Sequence, residues 1–287
     1  MTETLAGLVA AELAEPVDPR VTALAGAIAA EHGAASRTVL FYGSCLREAR
    51  LDGLMLDFYL IVSDYRAAYP RRWLRAANRL IPPNVFPFEH RGLAAKYAVL
   101  SEADFHRLNG PETRNVSVWA RFAQPSRIVW TKDDAARERT VAAVARAAPT
   151  LLGAAIPNAS RLSDDLELWR QAFALTYSAE LRAERKGRGG SVVDVDPDRY
   201  RRFTALALAA ATPSPGGWTR RRIEGKALSV IRLAKATATY AGGVDYIVWK
   251  INRHAGTDIA VKPWQRKFPL AAAISLMPRL LRSGAIR

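Results

Sequence analysis

The stretch FYGSCLREARLDGLMLDFYLIV, Phe41–Val62, decides the fold. β-Branched and aromatic residues predict a strand over Arg37–Tyr42, and Gly43-Ser44 ends it immediately before a segment that can start a helix. The run Leu54–Val62 is almost continuously apolar, which indicates a second strand buried on both faces. A strand, a Gly-Ser turn, a helical segment and a second strand together predict an α/β fold.

The next part of the chain predicts more strands and then helices. A polar, proline-bearing stretch over Pro70–Gly92 separates Leu54–Val62 from predicted strands at Lys96–Leu100 and Arg127–Trp130. From Thr131 onward the pattern is helical. We therefore expect a mixed sheet with flanking helices, followed by a mainly helical second domain.

The clearest predicted helix begins at Ser163, and the best linker is the proline- and glycine-rich segment Ala211–Trp218. Helical spacing gives the helix one apolar stripe, made of Leu166, Trp169, Phe173 and Tyr177. The predicted divisions are an α/β domain over residues 1–130, a helical domain over 131–217 and a basic amphipathic region over 218–287.

The composition excludes several classes of protein. In 287 residues, 49% are hydrophobic, which argues against a disordered chain, and a single cysteine, Cys45, cannot form an internal disulfide. No apolar run approaches the roughly 20 residues of a transmembrane helix, and the acidic N-terminus lacks the basic start of a signal or transit peptide. We therefore expect a cytoplasmic protein in a reducing compartment.

Most of the net charge of +15 lies near the C-terminus, where residues 218–287 contain 14 Lys+Arg and 3 Asp+Glu. This excess indicates an anionic partner, either an anionic membrane surface or nucleic acid, although a solvated basic face is the simpler alternative. The segment Val244–Gly256 mixes aliphatic, aromatic and basic residues, which favours peripheral association with the inner face of a membrane over nucleic acid. An ordinary buried helix with a basic rim remains open.

The residues of the first segment also suggest chemistry. Gly43 allows close approach of the backbone to a phosphate, Ser44 can donate a hydrogen bond, and Asp57 can hold Mg²⁺ beside those phosphates. Period two places Tyr59 on the same face as Asp57. This pattern resembles the nucleotidyltransferase superfamily, whose usual second strand reads Asp-x-Asp, so that Tyr59 replaces the second acid.

Further blocks resemble one branch of that superfamily, the mitochondrial-type phosphatidate cytidylyltransferases, also called mitochondrial translocator assembly and maintenance proteins. Its Gly after Gly-Ser is Cys45 here, its Lys-Tyr-Gly is Lys-Tyr-Ala, and its transit segment is absent, as expected of a bacterial relative. The matching blocks, in chain order, are Met55–Phe58, Trp73, Asn78, Pro83–Phe86, Lys96–Ser101, Trp119–Pro125 and Thr176–Arg182.

The resemblance implies transfer of CMP from CTP to phosphatidic acid, which yields CDP-diacylglycerol and pyrophosphate. It implies that Asp57 and Lys96 are catalytic, with Mg²⁺, or Mn²⁺ in its place, on Asp57. Lys96 would neutralise charge on the α-phosphate or on the leaving pyrophosphate; the alternative is an edge-strand lysine that prevents aggregation. The predicted nucleotide-binding residues are Gly43, Ser44, Tyr59 and Lys96.

A second metal ligand is predicted at Glu180, which shares the apolar stripe of its helix with Tyr177. The alternative is a glutamate paired with a neighbouring arginine. In the basic loop that follows, Lys186 and Arg188 are predicted to bind the lipid phosphate, although a basic helix-capping loop explains them equally.

Two rival functions stay open at this point. The first is nucleotidyl transfer to another acceptor. The second is a non-catalytic basic module that binds nucleic acid or membrane through a degenerate fold, a possibility that Tyr59 favours because it removes an expected metal ligand.

Overall fold

The computed structural model of the protein describes residues 3–47, 51–158, 164–180, 188–214, 217–239 and 260–264. Its centre is a five-stranded mixed sheet in the order β3-β4-β2-β1-β5, in which β2 and β4 are parallel and the other neighbours are antiparallel. The strands are β1 (Ser36–Tyr42), β2 (Met55–Val62), β3 (Asn84–His90), β4 (Leu93–Ser101) and β5 (Ser126–Thr131).

Helices cover both faces of the sheet, so the predicted α/β fold is confirmed. The described helices are α1 (Leu5–Leu13), α2 (Pro19–Ala30), α3 (Tyr65–Ala68), α4 (Arg72–Leu80), α5 (Glu102–Asn109), α6 (Trp119–Phe122), α7 (Asp134–Ala145), α8 (Ala147–Ala155), α9 (Asp165–Ala179), α10 (Arg188–Val195), α11 (Pro197–Ala209) and α12 (Trp218–Thr239). In the part of the chain so described, no helix combines the length and the apolar character that a membrane span requires.

Strand β2 shows why its sequence is almost continuously apolar. Phe58 and Leu60 pack into the core on the side of α2, whereas Tyr59 and Ile61 pack into the core on the side of the later helices. All four side chains are at most 3% exposed. The strand is therefore buried on both faces, as predicted from its pattern.

The connection Pro70–Gly92, which the sequence presents as a polar stretch between strands, contains α4 and β3. Prolines at both Pro83 and Pro87 obscure the alternation of Phe86 and Phe88, which pack with the core on the α2 side. A proline is tolerated here because β3 is at the edge of the sheet, where one side needs no backbone hydrogen bond.

The predicted helix from Ser163 is present as α9, with its N-cap at Asp164. It buries Trp169 and Phe173 completely, and full burial of a side chain such as phenylalanine stabilises the fold by about 1.5–3 kcal/mol. The helix ends at Ala179, where α12 packs against it so closely that a side chain on Gly225 would collide with the Ala179 carbonyl oxygen.

One hydrophobic core joins the sheet to the later helices and to α1. A buried ion pair between Glu12 of α1 and Arg199 of α11 crosses this core, and the guanidinium also donates to the carbonyl of Ala123 over 3.0 Å. Asp196 caps the start of α11, where its side chain accepts a hydrogen bond from the backbone N–H of Arg199. The division at residues 130 and 217 stays a prediction, and Val244–Gly256 lies outside the described residues.

Candidate active site

A cavity of about 400 Å³ lies at the end of β1, against the neighbouring strands and α12. Its lining is rich in cations and contains, among the described residues, a single carboxylate, Asp57. The polar groups on its wall that matter for chemistry come from the turn after β1 and from β2, β4, α6 and α12, and they are Gly43, Ser44, Asp57, Lys96, Arg121, Arg232 and Lys235.

Gly43 makes the turn that begins this site. It follows β1 directly and has φ +94°, a backbone conformation that side chains other than glycine adopt only with strain. A Cβ here would lie 3.6 Å from Oδ2 of Asp57, so the backbone and the carboxylate are close neighbours. Ser44 comes next, exposed and at the start of a short 3₁₀ turn, Ser44–Arg47. The structure therefore brings the predicted Gly-Ser turn and the predicted aspartate to one place.

Sheet register places Asp57 beside Lys96. The two are direct partners in the parallel pair β2–β4, and Nζ of Lys96 lies 2.9 Å from Oδ1 of Asp57. Both side chains keep about a quarter of their surface exposed, 24% for Asp57 and 28% for Lys96. Because β4 lies between β3 and β2, Lys96 is not on an edge strand, and the protective role considered for an edge-strand lysine is wrong.

Tyr59 lies on the cavity wall and belongs to the core. Its ring packs against the rings of Tyr42 and Phe122 at centroid distances of 5.2 and 5.1 Å. Burial raises the pKa of Tyr59, so the phenol stays protonated at neutral pH in the protein without a metal ion. Its predicted contact with a nucleotide remains a prediction.

Glu180 is buried and pairs with an arginine. Its Oε1 lies 3.4 Å from Nη1 of Arg121, which also donates to the carbonyl oxygen of Ser117. Burial lowers the pKa of Arg121, but the Glu180 carboxylate and the hydroxyls of Tyr59 and Tyr42 outweigh it and the net shift is upward. The backbone of Glu180 is extended rather than helical, so the helical stripe that suggested this residue ends before it.

The ion pair with Arg121 bears on the predicted role of Glu180 as a metal ligand. Arg121 lines the cavity and Glu180 is its counter-ion, which matches the alternative of a glutamate paired with a neighbouring arginine. A metal role for Glu180 stays a prediction. So does lipid-phosphate binding by Lys186 and Arg188, because Lys186 lies outside the described residues and Arg188 is described only as the first residue of α10.

Two further cations of the site, Arg232 and Lys235, come from α12. Nε of Arg232 donates to the carbonyl oxygen of Pro82 over 3.0 Å, and its Nη1 donates to Oγ of Ser117 over 2.9 Å. Nζ of Lys235 donates to the carbonyl oxygens of Pro83, over 2.7 Å, and Ile81. Burial lowers the pKa of Arg232, and burial together with Arg232 lowers the pKa of Lys235 to about 7.

The sequence analysis did not identify three cations of the site, Arg121, Arg232 and Lys235. Arg121 lies in a block that only faintly resembles a known motif, and the other two lie in a region predicted to contact membrane. A weak signal does exist, since the spacing i, i+3 puts Arg232 and Lys235 on one face of a helix.

The residues fit a metal ion that arrives with a phosphate ligand. Oδ1 of Asp57 is buried and accepts no hydrogen bond from the described residues, although the Lys96 ammonium is its ion-pair partner. Across the described ranges, no three His, Cys, Asp or Glu side chains come together as ligands. A single carboxylate suits Mg²⁺ that takes its remaining ligands from phosphates and water.

Comparisons with known proteins give a likeness in structure but none in sequence. No family model matches the chain, and no curated protein matches its sequence. Among solved structures, the chain is similar to the nucleotidyltransferase-like protein from Exiguobacterium sibiricum 255-15, with a TM-score of 0.29 and 11% identity over 92% of each chain. At this level the likeness bears on neither family nor activity, and the function is inferred from the residues of the cavity.

Proposed function

We propose that the protein is a nucleotidyltransferase that binds a nucleoside triphosphate in this cavity. The observation that carries the proposal is the meeting of the Gly43-Ser44 turn with the Asp57–Lys96 pair on the wall of a cation-rich cavity. A triphosphate needs backbone or hydroxyl donors, cations and a carboxylate for its metal ion, and these are the groups present.

In this reaction an acceptor oxygen attacks the α-phosphorus of the nucleotide. The bond from that phosphorus to the oxygen bridging to the β-phosphorus breaks, and pyrophosphate leaves with the electron pair. Ser44 and the backbone at Gly43 would orient the phosphates, while Lys96 would stabilise the charge that develops as pyrophosphate leaves. Asp57 would hold Mg²⁺ or Mn²⁺, which when bound neutralises charge on the phosphate oxygens.

The lining supports an acceptor that is itself a phosphate. A hydroxyl acceptor must lose a proton during attack, and a general base is needed to take it. Asp57 is the sole carboxylate among the described lining residues, and it is engaged by Lys96 and assigned to the metal ion. An ionised phosphate oxygen attacks without losing a proton, so it fits a site whose one described lining carboxylate is already engaged.

We extend the proposal to CTP as donor and phosphatidic acid as acceptor, with the protein bound peripherally to an anionic membrane. Support comes from the sequence blocks that resemble phosphatidate cytidylyltransferases, including Met55–Phe58 and Lys96–Ser101. The basic excess of residues 218–287 suits a substrate held in an anionic surface. The product would be CDP-diacylglycerol.

The test is incubation of the purified protein with α-labelled CTP, Mg²⁺ and vesicles that contain phosphatidic acid. We expect label in the organic phase from wild type, and a loss of about a hundredfold or more in Asp57→Asn. The matched control is Asp52→Asn, because Asp52 is exposed and pairs only with Arg20 at the surface, among the described contacts.

Two other results would change the proposal. CTP binding without transfer to the lipid would reject phosphatidic acid as acceptor and retain the nucleotide site. No binding of any nucleoside triphosphate, together with salt-sensitive binding of RNA or DNA, would reject the enzyme in favour of a basic binding module.

A further inference from the structure

The charges around the cavity do not balance. Lys96 pairs with Asp57, and Arg121 pairs with Glu180. Arg232 and Lys235 form no ion pair with any carboxylate in the described part of the chain, although both lie on the cavity wall. Among the described residues, the site therefore holds two partly buried basic side chains in excess of its acids.

Arg232 and Lys235 donate hydrogen bonds to neutral oxygens, and these bonds do not use all of their N–H groups. A guanidinium has five N–H donors and an ammonium has three. Arg232 uses its Nε and one Nη on Pro82 and Ser117, and Lys235 donates to Ile81 and Pro83. Each side chain is thus fixed by backbone or hydroxyl oxygens and still has N–H groups for another acceptor.

Buried cations without a carboxylate are costly unless a ligand supplies the negative charge. The cost is visible in the lowered pKa values of Arg232 and Lys235, which burial causes first in both cases. Both residues are held in place before any ligand arrives, so little side-chain entropy would be lost on binding. Anchored, partly desolvated basic groups with no ion-pair partner among the described residues are suited to binding a phosphate.

The geometry points to a phosphate-binding subsite formed by Arg232 and Lys235 of α12, separate from the Gly43-Ser44 turn and the Asp57–Lys96 pair on the strands. The choice of compounds that carry this phosphate rests on the proposed function. Two sources share this chemistry: the triphosphate of the nucleotide and the phosphate of the acceptor.

The experiment measures binding by calorimetry, with CTP and Mg²⁺ in one arm and dioctanoyl phosphatidic acid in the other. Dioctanoylglycerol, which lacks the phosphate, is the ligand control. The variants are Arg232→Gln and Lys235→Met, and Lys235→Arg tests whether the positive charge suffices. The matched protein control is Lys226→Met, because Lys226 is exposed on the same helix.

If the subsite holds nucleotide phosphate, the two charge-removing variants should weaken CTP binding at least tenfold each. If it holds acceptor phosphate, they should weaken phosphatidate binding at least tenfold and leave CTP binding within twofold. In both cases Lys235→Arg should stay within about threefold of wild type in the affected arm, and Lys226→Met should match wild type. If Lys235 has only a structural role, Lys235→Met should weaken the binding of both CTP and phosphatidic acid. Circular dichroism should then show a loss of folded protein.

Wild-type affinity for both compounds in Arg232→Gln and Lys235→Met would overturn the subsite. So would a wild-type protein that binds neither compound. Phosphate binding that depends on these residues in a wild-type protein without transferase activity would leave the subsite standing and reject the proposed function instead. The two proposals therefore fail on different measurements.

Discussion

Replacing Lys235 with methionine should change how the free energy of unfolding depends on pH. In the folded protein the pKa of Lys235 is about 7, against an ordinary value of 10.5, because burial and the neighbouring Arg232 disfavour the charged amine. Between these two values the unfolded chain binds a proton that the folded protein does not bind. The stability contributed by this group therefore rises with pH across that window and is constant below it.

The expected slope follows from the proton count. One proton difference gives about 1.4 kcal/mol per pH unit, so from pH 7.5 to pH 9.5 wild type should gain about 2.7 kcal/mol relative to Lys235→Met. Taking the difference between the two proteins removes groups that titrate in both. Methionine keeps an unbranched chain, with sulfur in place of Cδ, and lacks the amine, so packing against the loop before β3 is preserved as far as a substitution allows.

The assay is urea unfolding followed by tryptophan fluorescence at pH 7.5, 8.5 and 9.5. Lys226→Met is the control, and its stability should run parallel to that of wild type because its side chain is exposed. If wild type and Lys235→Met also run parallel over these two pH units, the amine is protonated in the folded protein. The argument that burial leaves it short of a counter-charge would then be refuted.

Three further predictions concern two glycines and a buried ion pair. Gly43→Ala puts a side chain at φ +94°, a strain of about 1–3 kcal/mol, so Tm should fall and CTP binding should weaken; unchanged calorimetry would refute a role for this turn. Gly225→Ala sets a methyl group against the Ala179 carbonyl, so the packing of α12 on α9 should loosen and Tm should fall, whereas an unaltered Tm would contradict this packing. Glu12→Leu and Arg199→Met should each cost about 3–5 kcal/mol in urea unfolding because each leaves a buried charge unpaired. The double variant should lose much less than their sum, and additive losses would show that the pair is not coupled.

The sequence was sufficient for the parts of the fold that local pattern controls. Strands β1 and β2 follow from their apolar and β-branched residues, and α9 follows from its stripe of Leu166, Trp169 and Phe173. Strand β3 escaped prediction because Pro83 and Pro87 are signals against a strand. They are tolerated only at a sheet edge, and edge position is a property of the whole sheet rather than of the segment.

Only the part of the candidate site that lies within one segment of the sequence was predictable. Gly43, Ser44 and Asp57 lie within one segment, so their spacing carries the information. The contact between Asp57 and Lys96 depends on strand register, and the position of Arg232 and Lys235 on the cavity wall depends on how α12 packs. Arginine and lysine are so common on surfaces that only a place on the cavity wall, without an ion-pair partner among the described residues, distinguishes these two.

The position of α12 has a consequence for the newly made chain. The helix packs against β3, which lies at one edge of the sheet. Its Arg232 and Lys235 donate hydrogen bonds to the carbonyl oxygens of Ile81–Pro83, the three residues that lead into that strand. Strands at an edge invite pairing with other chains until something covers them. During synthesis, β3 is made more than a hundred residues before α12. The edge strand therefore lacks its contact with α12 while the helical half of the chain is still being made. Changes that weaken the docking of α12 should therefore appear first as aggregation during expression, before any loss of activity is measured.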